Sequence, residues 1–374
     1  MRYCKNCILP DTRPGIIIDI YTGVCIACNN NAPESEFRSR EDELLRVLAE
    51  RKSKKKSIYD CIIPVSGGKD STWQTVKALE MNLKPLCVTW RTPKRTEIGQ
   101  ENLQNLIDLG VDHIDFSVNP KTQRTLTRKA FEKVGIPALP MHLALFSIPT
   151  KIALNHGVNL LLWGENSAQE YGGEEDYASL KLLSRKWLKR YGVSDGTFGE
   201  DWIDEDLSAA DLDPFTFPSD EEIIAGDLKS VFLGMYSKWT PYESLRVAKK
   251  NGFKELEKPI VGKYGFADID EGFIMSVHHW IKWYKFGITR TWDNLSLDIR
   301  NNVTSRPDAI EYLHNLGSEK PLKEIEEFCE YIDITVKKFD EICESFRNRD
   351  VWSRNQYGKF EIKEFLIKHW EWDE

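Results

Sequence analysis

The sequence predicts an α/β protein with a doubly wound parallel sheet, a small cysteine-rich module before it and a helical region after it. Apolar segments that alternate with helical patterns are typical of βαβ units, and the chain has them at residues 58–65, 83–90, 111–118 and 158–164. Residues 229–236 predict one more strand. Four cysteines within the first 28 residues mark the N-terminal module.

Composition limits the classes of protein to consider. At 374 residues and 41% hydrophobic content, the chain can bury a sizeable core and form two or three modules. A net charge of −8 argues against a broad nucleic-acid surface, which needs an excess of lysine and arginine. Neither a signal-peptide pattern nor an apolar run of about 18 residues is present. We therefore expect a cytoplasmic protein without a membrane or nucleic-acid partner.

The N-terminal cysteines form two C-x₂-C pairs, CKNC and CIAC, with 17 residues between them. This is the spacing of a four-cysteine zinc ribbon, in which four thiolates complete a tetrahedron and leave no open position for catalysis. A pair of redox dithiols is the alternative. We predict one structural zinc ion, held by Cys4, Cys7, Cys25 and Cys28. The remaining four cysteines lie in apolar or helical segments, where we expect small buried hydrophobes.

The loop SGGKDS follows the first predicted strand and precedes an amphipathic helix. Unpaired N–H groups make such a junction an anion site. We expect the glycines to let the backbone approach a phosphate, Lys69 to add a charge, and Asp70 to hold Mg²⁺. The predicted phosphate ligands are Ser66, Gly67, Gly68, Lys69, Asp70 and Ser71. A plain capped turn is the alternative, but a cap does not need two glycines, a lysine and two serines together.

This loop resembles that of the PP-loop ATP pyrophosphatases, which include GMP synthetase, NAD synthetase and the tRNA thiolation enzymes. The resemblance implies a HUP-like fold and ATP as a substrate. It also implies adenylation of a carbonyl or carboxyl oxygen, followed by displacement of AMP by a nitrogen or sulfur nucleophile. In that chemistry, Lys69 and Mg²⁺ act on the departing pyrophosphate.

Six stretches extend the resemblance over almost the whole chain: MRYCKNCILPDTRPGI, GVCIACNN, PVSGGKDSTWQ, LLLWGENSAQEYGG, KWYKFGITRTWDNLSLDIR and FCEYIDITVKKFDEICESFRN. They resemble the N-acetyl sugar amidotransferase family, the WbpG type of lipopolysaccharide and surface-polysaccharide biosynthesis. The last three stretches are specific to that family, whereas the loop and the cysteines are shared with tRNA thiolation enzymes. The chain departs from the family in an acidic insertion after Gly173.

The resemblance implies an ATP-dependent amidotransferase that adenylates the acetamido oxygen of a nucleotide-activated N-acetyl sugar and replaces AMP with ammonia. The product is an acetamidino sugar for O-antigen synthesis. The chain lacks the Gly-x-Cys-x-Gly elbow with a His-x-Glu that a glutaminase needs, so a separate glutaminase subunit is the implied partner. The alternatives are a tRNA sulfurtransferase and a zinc-ribbon scaffold that binds nucleotide without turnover.

We expect four segments along the chain. Residues 1–31 form the ribbon, 32–57 a charged helical linker, 58–252 the PP-loop domain and 253–374 the helical region. The acidic insertion at about 169–227 interrupts the PP-loop domain. Because long loops in compact domains are usually functional or disordered, we expect it to be a lid or a partner-facing excursion.

Two predicted strand ends carry further candidate residues. Glu165 and Asn166 follow the fourth strand, at the edge where open α/β sheets bind ligands. We expect Glu165 to hold Mg²⁺ or polarise ammonia, and Asn166 to bind the acetamido oxygen, with a helix cap as the alternative for Asn166. Trp90 ends the second strand, where the resemblance implies contacts to adenine or ribose.

The C-terminal region supplies the candidate cations for a sugar carboxylate or for nucleotide phosphates. These cations are Lys285, Arg290 and Arg300, with structural ion pairs as the alternative. Asp293 is expected to orient one of them. For at least one of His278 and His279 we expect a packed core histidine.

Overall fold

A computed structural model describes residues 1–30, 34–165, 183–237 and 240–372, with the backbone alone for 34–39. Its central sheet has five parallel strands: β1 (Cys61–Pro64), β2 (Pro85–Trp90), β3 (Asp112–Phe116), β4 (Leu160–Trp163) and β5 (Lys229–Phe232). The spatial order is β3-β2-β1-β4-β5. The order reverses between β1 and β4, so the crevice at their carboxyl ends is the topological switch point. The predicted doubly wound sheet is confirmed.

Helices cover both faces of this sheet. The helices of this domain up to β4 are α3 (Lys69–Glu80), α4 (Glu97–Ile107), α5 (Pro120–Val134) and α6 (Leu139–Asn155). Before the domain, α1 (Ile26–Asn29) lies in the ribbon and α2 (Glu34–Ser53) in the linker. Helix α6 packs across β1, β2 and β4, all three of which are buried along their length, as expected of central parallel strands. In α5, Asn119 caps the first turn and Gly135 ends the helix with a φ of 62°.

The acidic insertion packs into the sheet domain over the part that the structure describes, residues 183–227. It contains α7 (Arg185–Tyr191), α8 (Ala209–Leu212) and α9 (Asp220–Ala225). Trp187 and Phe215 are fully buried in the main core. Asp204 pairs with Lys129 of α5, at 2.7 Å. These contacts make the described part an integral layer of the domain, while its role as a lid or partner surface stays a prediction.

The predicted helical C-terminal region is confirmed, with two additions. Helix α10 (Pro241–Lys250) precedes the predicted region and packs along α3, and the region itself contains α11 (Ile274–Phe286), α12 (Arg290–Arg300), α13 (Arg306–Leu316), α14 (Leu322–Ile332) and α15 (Val336–Ser345). An irregular segment connects α10 to α11. After α15, an antiparallel hairpin forms from β6 (Trp352–Arg354) and β7 (Phe360–Ile362). Among the described residues, no helix combines the length and apolar content that a membrane span requires.

The N-terminal ribbon docks on the C-terminal region. The Arg306 guanidinium donates hydrogen bonds to the carbonyls of Cys4 and Cys7, at 3.3 and 2.9 Å. The Thr12 hydroxyl donates to the carbonyl of Phe286 at 2.7 Å. The ribbon therefore contacts the C-terminal region directly, although the whole sheet domain separates the two in sequence.

Candidate active site

The loop at residues 66–71 joins β1 to α3, as the sequence predicts, and its own side chains brace it. The Gly68 N–H donates to the Ser66 hydroxyl at 3.2 Å, and the Ser71 hydroxyl donates to the Gly68 carbonyl at 3.0 Å. Gly68 is the N-cap of α3, so the positive end of the helix dipole lies at the loop. This is the geometry of an anion site at a helix N-terminus.

Gly67 is fixed as glycine by both its conformation and its surroundings. Its φ of +87° lies in the left-handed region, which disfavours other residues. A Cβ at this position would lie 2.5 Å from the backbone nitrogen of Leu103 in α4. The loop is therefore pressed against α4, which holds it in place.

A cavity of about 220 Å³ opens next to the loop, between the carboxyl edge of the sheet and the C-terminal region. Its walls come from the loop, from Glu165 at the end of β4, from Arg290 and Asn294 of α12, and from the irregular segment between α10 and α11. Sites that enclose a whole small-molecule ligand usually measure roughly 300–1,000 Å³. This cavity therefore has room for part of an ATP molecule.

Lys69 and Asp70 form the charged wall of the cavity. Lys69 is 8% exposed, and its Nζ lies 2.6 Å from both carboxylate oxygens of Asp70. The same ammonium group lies 5.3 Å from the ring centre of Phe266. A charge held at the mouth of a helix N-terminus is well placed to bind a phosphate group.

The carboxylates of the cavity fit Mg²⁺ as a partner of bound phosphates. Asp70, Glu165, Asp268 and Asp270 offer the oxygen ligands that Mg²⁺ prefers. These carboxylates are not clustered tightly enough to hold a metal ion by themselves: within the described part of the chain, the four ribbon cysteines are the one group of three or more potential metal ligands that lie close together. Mg²⁺ is usually held by one or two carboxylates plus substrate phosphates and water, and the role of Asp70 in holding this ion stays a prediction.

Sequence reasoning missed the acidic segment at residues 268–271, Asp-Ile-Asp-Glu, which faces the loop across the cavity. The Asp268 carboxylate lies 3.5 Å from Nε2 of His279 and 3.6 Å from the guanidinium of Arg290. Burial pushes the pKa of Asp268 upward, but Arg290 and His279 outweigh it and hold the pKa below its ordinary value. The φ of Asp268, 52°, is one that non-glycine residues rarely adopt.

Asp270 has the opposite electrostatic environment. Burial raises its pKa to about 6, and the negative charge of Asp268 acts in the same direction. Asp268 and Asp270 thus differ in protonation behaviour because Asp268 has the Arg290 guanidinium and the His279 ring beside it, whereas no ion pair joins Asp270 to another residue that the structure describes. The signal that could have identified the segment is the cluster of three acidic residues next to the glycines of GKYGFADIDEGF.

Of the three predicted cations, the structure brings Arg290 to the cavity. Lys285 lies at the end of α11 and donates to the carbonyl of Val134, at 3.0 Å. Arg300 ends α12, about 15 Å from Arg290 along the helix axis at 1.5 Å per residue. Neither Lys285 nor Arg300 lines this cavity, and their role in substrate binding stays a prediction.

The carboxylate of Asp293 lies among several cations, and Arg290, one of the predicted three, helps to lower its pKa; its role in orienting Arg290 stays a prediction. It contacts Arg13 of the ribbon at 2.6 Å, and it also pairs with Lys282 of α11. The Asp293 side chain is 1% exposed. A buried carboxylate thus joins the ribbon, α11 and α12 directly behind the Arg290 wall of the cavity.

Comparison with known proteins places the C-terminal part of this site in a family. Residues 237–366 match the family described as "LPS biosynthesis protein WbpG-like, C-terminal domain". These residues are a WbpG-like C-terminal domain. The match confirms the WbpG-type resemblance predicted from sequence. The WbpG-like domain contributes the acidic segment and Arg290 to the cavity, while the glycine loop comes from the sheet domain.

Two further comparisons were made. A search of curated proteins found no match. Among solved structures, NMN synthetase from Francisella tularensis matches with 13% sequence identity and a TM-score of 0.29, over 57% of this chain and 92% of that chain. Together, the WbpG-like domain and the glycine loop at the switch point of the sheet support an ATP-using enzyme of the amidotransferase type.

The other residues predicted for the site are Glu165, Asn166 and Trp90, and the structure places them differently. Glu165 lines the cavity at the end of β4. Asn166 lies outside the described residues. Trp90 is 7% exposed and packs in the main core rather than along the cavity. Its indole N–H is buried without a hydrogen-bond partner among the described residues, and its contact with adenine or ribose stays a prediction.

Three histidines lie close together where α6 of the sheet domain meets α11 of the WbpG-like domain, and of these His279 is buried while His142 and His278 are half-buried. The rings of His142 and His278 lie 5.8 Å apart, and those of His278 and His279 lie 5.5 Å apart. Burial lowers the pKa of His279 to about 4, so this ring is neutral at physiological pH. The packed core histidine predicted for at least one of His278 and His279 is confirmed.

The cysteines outside the ribbon are buried, as predicted. Cys61 and Cys87 lie in β1 and β2 and have no exposed surface. Burial raises the pKa of the Cys87 thiol to about 12 and that of Cys61 well above its ordinary value. Because a nucleophilic cysteine needs a lowered pKa and access, these two thiols cannot serve the sulfurtransferase alternative.

The four ribbon cysteines fit a zinc ion. Their sulfur atoms all lie within 4.8 Å of one another, with Cys4 and Cys28 at 3.9 Å and Cys7 and Cys25 at 3.7 Å. A tetrahedron with Zn–S bonds of about 2.3 Å has sulfur–sulfur edges of about 3.8 Å. The backbone N–H of Cys25 donates to the Cys4 sulfur at 3.2 Å, which is a contact that stabilises a thiolate.

We predict that the purified protein contains one zinc ion per chain. The variant Cys4→Ser/Cys25→Ser should lose the metal, because two of four ligands are gone, and elemental analysis measures this directly. Cys329→Ala, in the buried core of α14, is the control and should keep its zinc. Equal zinc in the double variant and the wild type would place the metal elsewhere.

Proposed function

We propose that this chain is an ATP-dependent, AMP-forming amidotransferase that converts the acetamido group of a nucleotide-activated N-acetyl sugar into an acetamidino group. One observation carries the proposal: the glycine loop of the sheet domain and Arg290 of the WbpG-like domain line the same cavity. A phosphate site and the domain of a polysaccharide-biosynthesis family thus meet where open α/β sheets bind ligands. The product would serve O-antigen or other surface-polysaccharide synthesis.

The first step is adenylation of the sugar. The acetamido oxygen attacks the α-phosphorus of ATP, a new O–P bond forms, and the bond to the β-phosphate oxygen breaks. Negative charge then develops on the departing pyrophosphate. The α3 N-terminus and Lys69 are positioned to stabilise that charge, and Asp70 would hold a Mg²⁺ ion that would supply further positive charge there.

The second step is amination. Ammonia forms a bond to the imidate carbon, the C–O bond breaks, and AMP leaves with the original acetamido oxygen. Arg290 is the cavity cation that we assign to an anionic group of the sugar nucleotide, since arginine binds carboxylates and phosphates in bidentate geometry. The reaction needs positioned charges and the exclusion of water rather than a protein nucleophile.

Ammonia comes from a separate glutaminase subunit in this proposal. The thiols of Cys61, Cys87, Cys329 and Cys343 are all buried, so none of them offers the exposed nucleophile of a glutaminase. We place the entry of ammonia near Glu165, at the carboxyl edge of β4. Free ammonium at high concentration should replace the partner in vitro.

The test combines the purified chain with ATP, ammonium and a panel of nucleotide-activated N-acetyl sugars. We expect AMP, pyrophosphate and an acetamidino sugar, and a heavy oxygen isotope in the acetamido group should appear in AMP. Glutamine without a second protein should give no product. An isotope that stays out of AMP would exclude adenylation of the sugar, and turnover with glutamine alone would exclude the separate partner. ATP binding without pyrophosphate release would favour the scaffold alternative.

A further inference from the structure

We propose that Arg13 of the ribbon is a positioning residue of the active site: it occupies the carboxylate of Asp293 and thereby keeps the guanidinium of Arg290 in the cavity wall. The inference rests on the proposed function, in which Arg290 binds an anionic group of the sugar nucleotide. It extends that function, because it gives the ribbon a part in substrate binding. It depends on how the ribbon docks on α12, on the contacts of Asp293, and on the place of Arg290 one turn away.

Helix α12 separates the ribbon from the cavity. Three residues on one face of this helix line the cavity: Arg290, Asn294 and Leu297. The opposite face carries Trp292, whose ring stacks on that of Tyr3 with centres 5.9 Å apart, and Ile299, which packs against the apolar cluster of the ribbon. At about 3.6 residues per turn, Asp293 lies between these two faces. Its carboxylate can therefore be reached from the ribbon and from the cavity side.

Asp293 receives one cation on each carboxylate oxygen. Nε of Arg13 donates to Oδ1 at 2.6 Å, and Nζ of Lys282 donates to Oδ2. The Asp293 side chain is 1% exposed, so bulk water cannot replace a donor that is lost. Arg13 is held in place by the docking of its neighbour Thr12, whose hydroxyl bonds the carbonyl of Phe286. The ribbon thus supplies the donor for Oδ1.

Arg290 is the further cation that can take the place of Arg13 on Asp293. Arg290 and Asp293 are three residues apart on α12, the spacing at which helical side chains meet. Against the effect of burial, the charge of Arg290, after that of Arg13, holds the pKa of Asp293 down. The Arg290 guanidinium now lies 3.6 Å from Asp268. A Cβ on Gly262 would lie 2.7 Å from Cγ of Arg290, so the stem is closely packed and the guanidinium is the part that can turn.

Removal of Arg13 changes the balance between these two positions of the guanidinium. A buried carboxylate oxygen without a donor is costly, so Oδ1 of Asp293 needs a new partner, and rotation of Arg290 supplies one. The same rotation takes the cation out of the cavity wall, where the anionic group of the sugar nucleotide binds. Arg13 therefore maintains the substrate-binding position of Arg290 by occupying the carboxylate that would otherwise draw it away.

The test compares Arg13→Met with the wild type, because methionine keeps an apolar stem in place but donates no hydrogen bond. The assay contains ammonium, ATP and the nucleotide-activated N-acetyl sugar that the wild type converts fastest. We expect the KM for the sugar nucleotide to rise about 10- to 100-fold, the range for loss of a hydrogen bond between charged groups. The kcat and the KM for ATP should stay unchanged, which is the pattern of lost substrate binding.

Arg2→Ala is the matched control on the same ribbon. Arg2 is 59% exposed and pairs with Asp11, away from Asp293, so this variant should keep the wild-type KM for the sugar nucleotide. Elemental analysis should give the same zinc content for the wild type, Arg2→Ala and Arg13→Met. All assays are run below the lowest unfolding temperature among the variants.

Two double variants separate positioning from a general weakening of the ribbon contact. Arg13→Met/Arg290→Ala should have the same KM for the sugar nucleotide as Arg290→Ala, because Arg13 acts through Arg290. Arg13→Met/Asp293→Asn should recover most of the wild-type KM, because a neutral amide no longer draws the guanidinium away. Since the loss of a second buried charge cannot repair a loosened ribbon, this recovery is specific to the proposed arrangement.

Three results would overturn the inference while leaving the proposed function in place. They are a wild-type KM for the sugar nucleotide in Arg13→Met, equal rises in the KM for the sugar nucleotide and for ATP, and failure of Asp293→Asn to lower the KM of Arg13→Met. Absence of pyrophosphate release from the wild type with every sugar nucleotide would instead reject the proposed function itself and, with it, the inference.

Discussion

Lys69→Ala is expected to slow pyrophosphate release by roughly 100- to 1,000-fold, the range seen when one preorganised charge-stabilising group is removed from an active site. The Lys69 ammonium lies in the cavity wall at the N-terminus of α3, where the leaving group acquires its charge. The fold should survive, because the Asp70 carboxylate that loses its partner is 38% exposed and remains hydrated. Stopped-time assays of pyrophosphate release measure the effect.

Lys77→Ala is the control for this experiment. Lys77 lies on the same helix, its side chain is 36% exposed, and it pairs with Glu80 at 2.7 Å. Its removal changes the net charge of α3 equally without touching the cavity, so activity should remain. If Lys69→Ala retained full ATP-dependent activity, the loop would be only a structural turn, and the prediction that it binds the phosphates of ATP would be wrong.

Asp293→Ala is expected to lower the free energy of unfolding by about 3–5 kcal/mol, the cost of leaving buried charges without their partner. The carboxylate is 1% exposed and contacts both Arg13 and Lys282. Its loss would leave two cations facing each other in the contact between the ribbon and the WbpG-like domain. Denaturant unfolding followed by tryptophan fluorescence measures the change.

The stabilising effect of Asp293 should depend on pH. Burial pushes its pKa upward, but Arg13, Lys282 and Arg290 outweigh it and hold the pKa well below the ordinary value. A carboxyl group whose pKa is lowered by folding contributes its full stability above about pH 4, the unfolded value, and loses it as the pH falls toward the folded value. The difference between wild type and Asp293→Ala should therefore shrink in acid.

Asp340→Ala provides the comparison for an exposed pair. Asp340 is 43% exposed and lies 3.1 Å from Lys320, and exposed pairs contribute at most about 1 kcal/mol. Similar losses in the two variants would contradict the view that burial makes the Asp293 contacts important.

Local patterns were sufficient to predict the sheet and its loop. Each of the five strands of the central sheet lies within a segment that the sequence predicted to be a strand, and the loop lies at a junction that any βαβ unit must have. The cysteine cluster of the ribbon could be predicted equally well, because the spacing of four zinc-binding cysteines follows from metal geometry rather than from distant contacts. The strands, the loop and the cysteine cluster could be predicted because residues close to each of them in sequence determine their structure.

The missed parts of the site depend on distant residues. The acidic segment at 268–271 lies in irregular chain without hydrophobic periodicity, and α4 positions it through Thr96, whose hydroxyl bonds a carbonyl 173 residues away. Arg13 and Asp293 are 280 residues apart, so no local pattern links them. The position of Trp90 at the end of a strand did not reveal that its side chain packs in the main core.

The docking of the ribbon on the C-terminal region has a consequence for the folding of the chain during its translation. The ribbon leaves the ribosome before the residues that contact it, because Phe286, Asp293 and Arg306 follow some 270 to 300 residues later. At roughly 5–20 residues per second, a nascent ribbon would wait about 15–60 s for its docking surface. During that interval, a zinc ion on the four cysteines would help to order this small module, whose own apolar cluster has few side chains. Zinc supply during translation, rather than after it, should therefore determine how much of this chain reaches the folded state.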